Sequence, residues 1–228
     1  MTHLSKLDGI NPGNNKYSLI IFDWDGTLMD SLDKIVACVT QAAKLNDLPV
    51  LSAQSIRDII GLSLDKAMST LYPSISALQQ KQLVDAYRQQ YSSLNDQQTP
   101  FYPGIKAWLK ILKEQGYILA VATGKGRNGL NRLLEEHDLS DFFAVTYCAD
   151  EAFSKPHPLM LHNILTELDI KAEQALMIGD SSFDLEMANN ANIDCIGVNY
   201  GVHCETILSR YNPIAILNDL PTQLGKYI

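Results

Sequence analysis

Two patterns of apolar residues alternate along most of this chain, and between residues 31 and 98 only one of them occurs. The first is a short unbroken run, such as Leu19-Ile20-Ile21-Phe22 or Leu119-Ala120-Val121-Ala122, which predicts a strand buried on both faces. The second spaces apolar residues three and four apart, which predicts a helix with one buried stripe. Strands are predicted at 19–22, 118–122, 144–147 (the weakest run), 175–178, 195–198 and 215–217. Helices are predicted at 105–115, where Gly116 stops the run, and at 130–137, 159–168 and 185–191.

The interval 31–98 carries helical spacing alone. Leu32, Ile35, Val36 and Val39 form a first stripe, with Asp30 or Ser31 as N-cap. Ser52 caps a second helix bearing Ile56, Ile59 and Ile60, which Gly61 breaks. A third carries Leu64, Ala67, Met68 and Leu71 and ends near Pro73, and a longer fourth runs through Leu78, Leu83, Val84, Tyr87 and Tyr91. The predicted fold is therefore α/β, a doubly wound, mainly parallel Rossmann-like sheet with an inserted all-helical unit. Its core spans 18–30 and 99–228 and its insert 31–98. A polar lead-in covers 1–17, and the polar linker 95–100 with the turn Tyr102-Pro103-Gly104 marks the return to the core. Ligands in such folds sit at the carboxyl ends of the strands.

Polar residues with chemical potential cluster at those ends. The first run stops at Asp23-Trp24-Asp25-Gly26-Thr27. Residues two apart on an extended chain share a face, so both carboxylates can point to one place. Their repulsion is about 4 kcal/mol at ~4 Å and an effective dielectric of ~20, which favours a hard cation with oxygen ligands beside them. Taken alone, the same residues also fit a surface turn with solvated acids. The second run ends in Thr123-Gly124-Lys125-Gly126-Arg127, a hydroxyl and glycines able to hold phosphate oxygens, or simply a turn. Lys155 lies in Lys155-Pro156-His157-Pro158, where two prolines stiffen the loop before a helix. The run 175–178 leads into Gly179-Asp180-Ser181-Ser182-Phe183-Asp184, whose two acids lie one turn apart.

These four motifs, in this order and each after a strand or loop of the right kind, resemble those of the haloacid dehalogenase superfamily, most of whose members are phosphohydrolases. The resemblance covers residues 18–205. The helical insert resembles the C1 cap of phosphoglycolate phosphatase-like and β-phosphoglucomutase-like members, and the stretch 178–203 is most similar to the phosphoglycolate phosphatase-like branch. It implies a Mg²⁺-dependent phosphomonoester hydrolase acting on a small phosphorylated metabolite. It makes Asp23 the nucleophile, Asp25 the general acid and base, and Thr123 and Lys155 the electrostatic cradle, with Thr27, Gly124 and Lys125 beside the substrate. Asp23, the backbone carbonyl of Asp25, and Asp180 would hold the metal, supported by Asp184. Relatives often carry Asn where this chain has Gly124, and a Gly where it has Asn192. Arg57, Gly61 and Leu62 of the cap are expected to face the substrate. His157 has no expected chemical task. A phosphosugar mutase or a pyrophosphatase of the same fold keeps most of these residues. A phospho-receiver-like binding module lacks the Asp25-Gly26-Thr27 sequence and the insert.

Composition narrows the class further. Apolar and charged fractions of 46% and 19% are those of an ordinary globular protein. A formal charge of −8 argues against nucleic acid or an anionic membrane as the main partner, so an anionic substrate must meet local positive charge. Cys38, Cys148, Cys195 and Cys204 show no paired or zinc-like spacing and read as reduced thiols. No secretory pattern and no long apolar run occur, so the expected location is cytoplasmic, as a monomer or homodimer.

Overall fold

Six strands, β1 (Leu19–Phe22), β2 (Ile118–Thr123), β3 (Val145–Cys148), β4 (Ala175–Gly179), β5 (Asp194–Val198) and β6 (Ala215–Leu217), form one parallel sheet in the order β3-β2-β1-β4-β5-β6. The computed structural model describes residues 16–93 and 98–228. Most of the lead-in expected over 1–17 and four positions of the 95–100 region and its approach (94–97) lie outside the described residues.

The side-chain period of two divides each strand between two layers. Ile20, Phe22, Leu119, Val121, Leu176, Ile178, Ile196 and Val198 face one layer. There they meet α5 (Ile105–Glu114) through Trp108, Leu109 and Leu112, and α6 (Arg127–Glu136) through Leu130 and Leu133. Leu19, Ile21, Ala120, Ala122, Ala175, Met177 and Cys195 face the other. There they meet α7 (Leu159–Leu168) through Met160, Leu161 and Ile164, and α8 (Ser182–Asn190) through Leu185, Met187 and Ala188. This double burial is why the strands read as continuous apolar runs.

The segment between β1 and α5 carries α1 (Leu32–Leu45), α2 (Ala53–Arg57), α3 (Leu64–Leu71) and α4 (Ala77–Ser93). α1 packs on α4 and on α2, and these helices bury a third apolar cluster including Ile35, Val39, Ile56, Met68, Leu83 and Val84. Ser52 caps α2, accepting from the Ser55 N–H at 3.0 Å. α2 is shorter than expected: it ends at Arg57, and Ile59 and Ile60 are buried from the following turn. Two other helices start earlier than their apolar pattern. α6 begins at Arg127 because its first turn is polar, and α8 begins at Ser182 because Ser181 and Asp184 close its N-terminus on each other. Among the described residues no helix is long and apolar enough to cross a membrane.

The short α9 (Glu205–Leu208) and α10 (Leu220–Gln223) flank β6. In strand order the sheet reverses direction of growth at β1 and β4, the place where open α/β sheets hold ligands. The register sets Phe22 beside Val121 and Ile178, so the residues following β1 and β4 and ending β2 emerge together.

Candidate active site

Asp23 leaves β1, Asp180 leaves β4, and Lys155 arrives from the loop after β3; all three are about 1% exposed. The Lys155 ammonium donates to Asp23 Oδ1 and to Asp184 Oδ1, both at 2.6 Å. Asp184 Oδ2 accepts from the Ser181 N–H at 3.0 Å and from the Ser181 hydroxyl at 2.6 Å, which fixes the carboxylate at the start of α8. Asp180 accepts from the Thr27 hydroxyl at 2.7 Å and the Val202 N–H at 2.8 Å. Tyr200 in turn donates to the Thr27 carbonyl at 2.9 Å, and the Ser182 N–H donates to His203 Nδ1 at 2.9 Å.

Oxygens of Asp23, Asp180 and Asp184 lie within 4.8 Å of one another. When all three carboxylates are ionised, one ammonium leaves two negative charges, the charge a divalent cation would neutralise. Asp23 Oδ2 accepts no hydrogen bond among the described residues, whereas both oxygens of Asp184 are occupied. Asp180 also accepts on both oxygens, but from neutral donors alone, so Asp23 with its free oxygen and Asp180 with its unpaired charge fit direct ligation, and Asp184, paired with Lys155, fits a supporting role. A hard cation with oxygen ligands suits this set.

The carboxylate of Asp25 lies apart from that cluster. It accepts from Ser31 at 2.7 Å and pairs with the Lys125 ammonium at 3.0 Å. Ser31 stands at the N-cap position of α1, but its hydroxyl serves Asp25 and not the helix. The Lys125 ammonium also sits 4.7 Å from the centre of the Tyr91 ring on α4.

Close approach explains two glycines. Gly26 has φ +85°, and a Cβ there would fall 2.3 Å from Asp180 Oδ2. A Cβ on Gly124 would fall 2.4 Å and 2.6 Å from the carbonyl oxygens of Gly61 and Leu62. Any larger residue at Gly124 would push the α2–α3 loop off the sheet end. A cavity of about 580 Å³ opens between the helical insert and the sheet, and Asp23, Asp25, Thr123, Gly124, Lys125, Gly61 and Leu62 all line it.

The remaining expected residues divide. Thr123 is buried, its hydroxyl accepting from the Lys125 N–H at 3.2 Å. Arg57 does not line the cavity; it pairs with exposed Asp33 on the outer side of the insert. His157 accepts from the Leu159 N–H at 3.2 Å and packs on Phe153, away from the carboxylates. Ser31, Ser181, Tyr200, Val202 and His203 were not legible as site residues. Only Ser181 left a local signal, the Ser-x-x-Asp spacing of a capping box.

The sequence profile of the haloacid dehalogenase-like hydrolases matches residues 20–198. The chain belongs to that family. A phosphoglycolate phosphatase of Vibrio cholerae is 31% identical over 90% of this chain and 95% of its own length. A probable phosphatase, IndB, of Dickeya dadantii is 34% identical over 91% and 92%. A solved haloacid dehalogenase-like family hydrolase from Streptococcus pneumoniae superposes with a TM-score of 0.80 at 27% identity, covering 93% of this chain and 98% of that one. As a member of this family the chain is an enzyme of the phosphatase class.

Burial sets the ionisation of the family's carboxylate cluster here. It pushes the Asp23 carboxyl up to about 7; Lys155 opposes the shift, and Asp184 and Asp25 add to it. Asp180 is raised well above the usual carboxylate range, first by burial and then by Asp184 and Asp23. Burial alone would lower Lys155, but Asp184 and Asp23 outweigh it and hold the ammonium charged. Below about pH 7 the metal-free cluster retains protons that a cation must displace. The expected outcome is that divalent-cation affinity falls as pH drops below ~7, by about tenfold per pH unit for each proton displaced. Titration calorimetry between pH 5 and pH 8 checks this, and an affinity independent of pH would contradict it.

Proposed function

We propose that this chain is a Mg²⁺-dependent phosphomonoester hydrolase that works through a phosphorylated Asp23. The observation that carries the reading is the buried Lys155, which holds one oxygen of Asp23 while the other stays free of hydrogen bonds beside the cavity. Attack by the Asp23 carboxylate forms an Asp23–phosphorus bond as the ester oxygen–phosphorus bond breaks, and Asp25 gives its proton to the departing alkoxide. A water then attacks phosphorus, Asp25 takes its proton, and the Asp23–phosphorus bond breaks to release inorganic phosphate. Mg²⁺, when bound by Asp23, Asp180 and the Asp25 backbone carbonyl, supplies neutralising charge at the transferring group.

Lys155 and Thr123 add fixed charge and a hydroxyl beside that group. Ser31 and Lys125 orient the Asp25 carboxylate from two sides. Residues 31–98 act as a cap on the core formed by 18–30 and 99–228, and the Gly61–Leu62 loop seated on Gly124 excludes water from the site. Phosphoglycolate, for which the Vibrio relative is named, is the reference ester. A cytoplasmic location belongs to the same reading, supported by four free cysteines.

Two variants test the assignment of charge. Lys155→Ala should lose about two to three orders of magnitude in kcat/KM on any ester it cleaves, while His157→Ala should stay within about twofold of the parent. Equal losses would show that the wrong residue has been placed beside the phosphate. A third variant separates the aspartates. With an aryl phosphate, whose phenolate leaves without protonation, Asp25→Asn should still be phosphorylated but should lose its phosphate slowly. Acid quench and mass spectrometry should find the label accumulating on Asp23. A label elsewhere, or none, contradicts the division of roles.

A further inference from the structure

The reading of the site as a phosphatase leaves open what alcohol departs, and the cavity bears on that question directly. At about 580 Å³ it falls in the range that encloses a drug-sized ligand, and a two-carbon acid such as glycolate fills a small part of it. Its walls differ in character. On the insert side it is apolar and aromatic, built from Ile35, Ile59, Leu62, Leu64, Tyr87 and Tyr91. The rings of Tyr87 and Tyr91 lie 5.8 Å apart with an interplanar angle of 38°. α6 lines the same cavity with an exposed amide, Asn128, while its Arg132 guanidinium lies 5.5 Å from the Tyr91 ring centre and pairs with Glu136.

The floor has a third character. The Gly61 and Leu62 carbonyls crowd against Gly124, the residue after Thr123, and neither accepts a hydrogen bond among the described residues. Bare carbonyls beside a phosphate site favour a leaving group that carries hydroxyl donors near the ester and disfavour one that carries a carboxylate there. An aromatic wall, an exposed amide on α6 and hydroxyl acceptors near the ester describe one class of alcohol.

We infer that the substrate is a nucleoside monophosphate, its sugar hydroxyls facing the Gly61 and Leu62 carbonyls and its base lying against Tyr87 with its polar edge toward Asn128. The inference rests on the phosphatase reading for the chemistry, but the recognition it describes can be measured without turnover. Stacking of a base on an aromatic side chain contributes about 1–3 kcal/mol, so Tyr87 alone should matter by about tenfold.

The test uses the full-length Asp23→Asn protein in Mg²⁺, which binds esters without cleaving them, and titrates it with uridine monophosphate, adenosine monophosphate, ribose phosphate and phosphoglycolate. At least one nucleoside monophosphate should bind about tenfold or more tightly than ribose phosphate and phosphoglycolate. Adding Tyr87→Ala should lower that preference by about tenfold. Leu64→Trp, which narrows the cavity from another helix, should lower it as well and covers the case in which Tyr87→Ala fails to fold. Phosphoglycolate binding as tightly as every nucleotide would overturn the inference, and so would a nucleotide preference that both variants leave intact. The unsubstituted enzyme is assayed for phosphate release with the same four esters. Preferential nucleotide binding without release from any ester would overturn the phosphatase reading and leave the recognition standing. Release from phosphoglycolate alone would do the reverse.

Discussion

A buried ammonium between two buried carboxylates is the contact on which the site depends. Charges of this kind are removed from water at a cost of several kcal/mol each, and the cost is offset only where geometry and further hydrogen bonds are good. Here Lys155 reaches Asp23 and Asp184 at equal distances, and Ser181 occupies the remaining oxygen of Asp184. Removing Lys155 would leave the three acids facing one another with nothing to balance them. The arrangement is nonetheless incomplete, since Asp180 adds a third negative charge that only neutral donors from Thr27 and Val202 meet.

The fold serves that contact by register. β1 and β4 are neighbours in the sheet, and their residues Phe22 and Ile178 pair, so Asp23 and Asp180 leave the sheet side by side. Glycine at position 26 lets the chain turn within reach of Asp180. The helical insert reaches the same place from above. Its Gly61–Leu62 loop touches Gly124, the Ser63 N–H donates to the Ser154 hydroxyl at 2.9 Å, and Tyr91 covers Lys125. The Lys125 ammonium thereby connects Asp25 to the insert, so movement of the insert would be felt by the carboxylate assigned to proton transfer.

The sheet was legible because strands buried on both faces leave unbroken apolar runs, and every predicted strand is present. Even the short 215–217 strand was found, since β6 retains its β-branched and apolar residues at the sheet edge. Helix starts were less legible. The first turn of α6 is polar and that of α8 carries Phe183 alone between Ser182 and Asp184, so their apolar periodicity begins about one turn late. In the site, Asp23, Lys155, Asp180 and Asp184 do converge; the strand-end positions of Asp23 and Asp180, the proline-stiffened loop of Lys155 and the one-turn spacing of Asp184 from Asp180 made that expectation possible. The partners of those residues were not legible. Ser31 on Asp25 and Val202 on Asp180 depend on tertiary contacts, and neither residue belongs to a local pattern that points to an acid. Arg57, a cation on a short helix, pairs with Asp33 of α1, a tertiary contact its own sequence does not indicate.

The central claim is that this site holds excess buried negative charge which a divalent cation relieves. Thermal unfolding at about pH 8, above the value near 7 to which burial pushes the Asp23 carboxyl, tests it most directly when wild type and Asp180→Asn are compared in chelator and in Mg²⁺. The account predicts that Mg²⁺ raises the wild-type Tm by several degrees, that Asp180→Asn exceeds wild type in chelator, and that Mg²⁺ adds little to the variant. A wild-type Tm indifferent to Mg²⁺, together with a variant less stable than wild type in chelator, would contradict it.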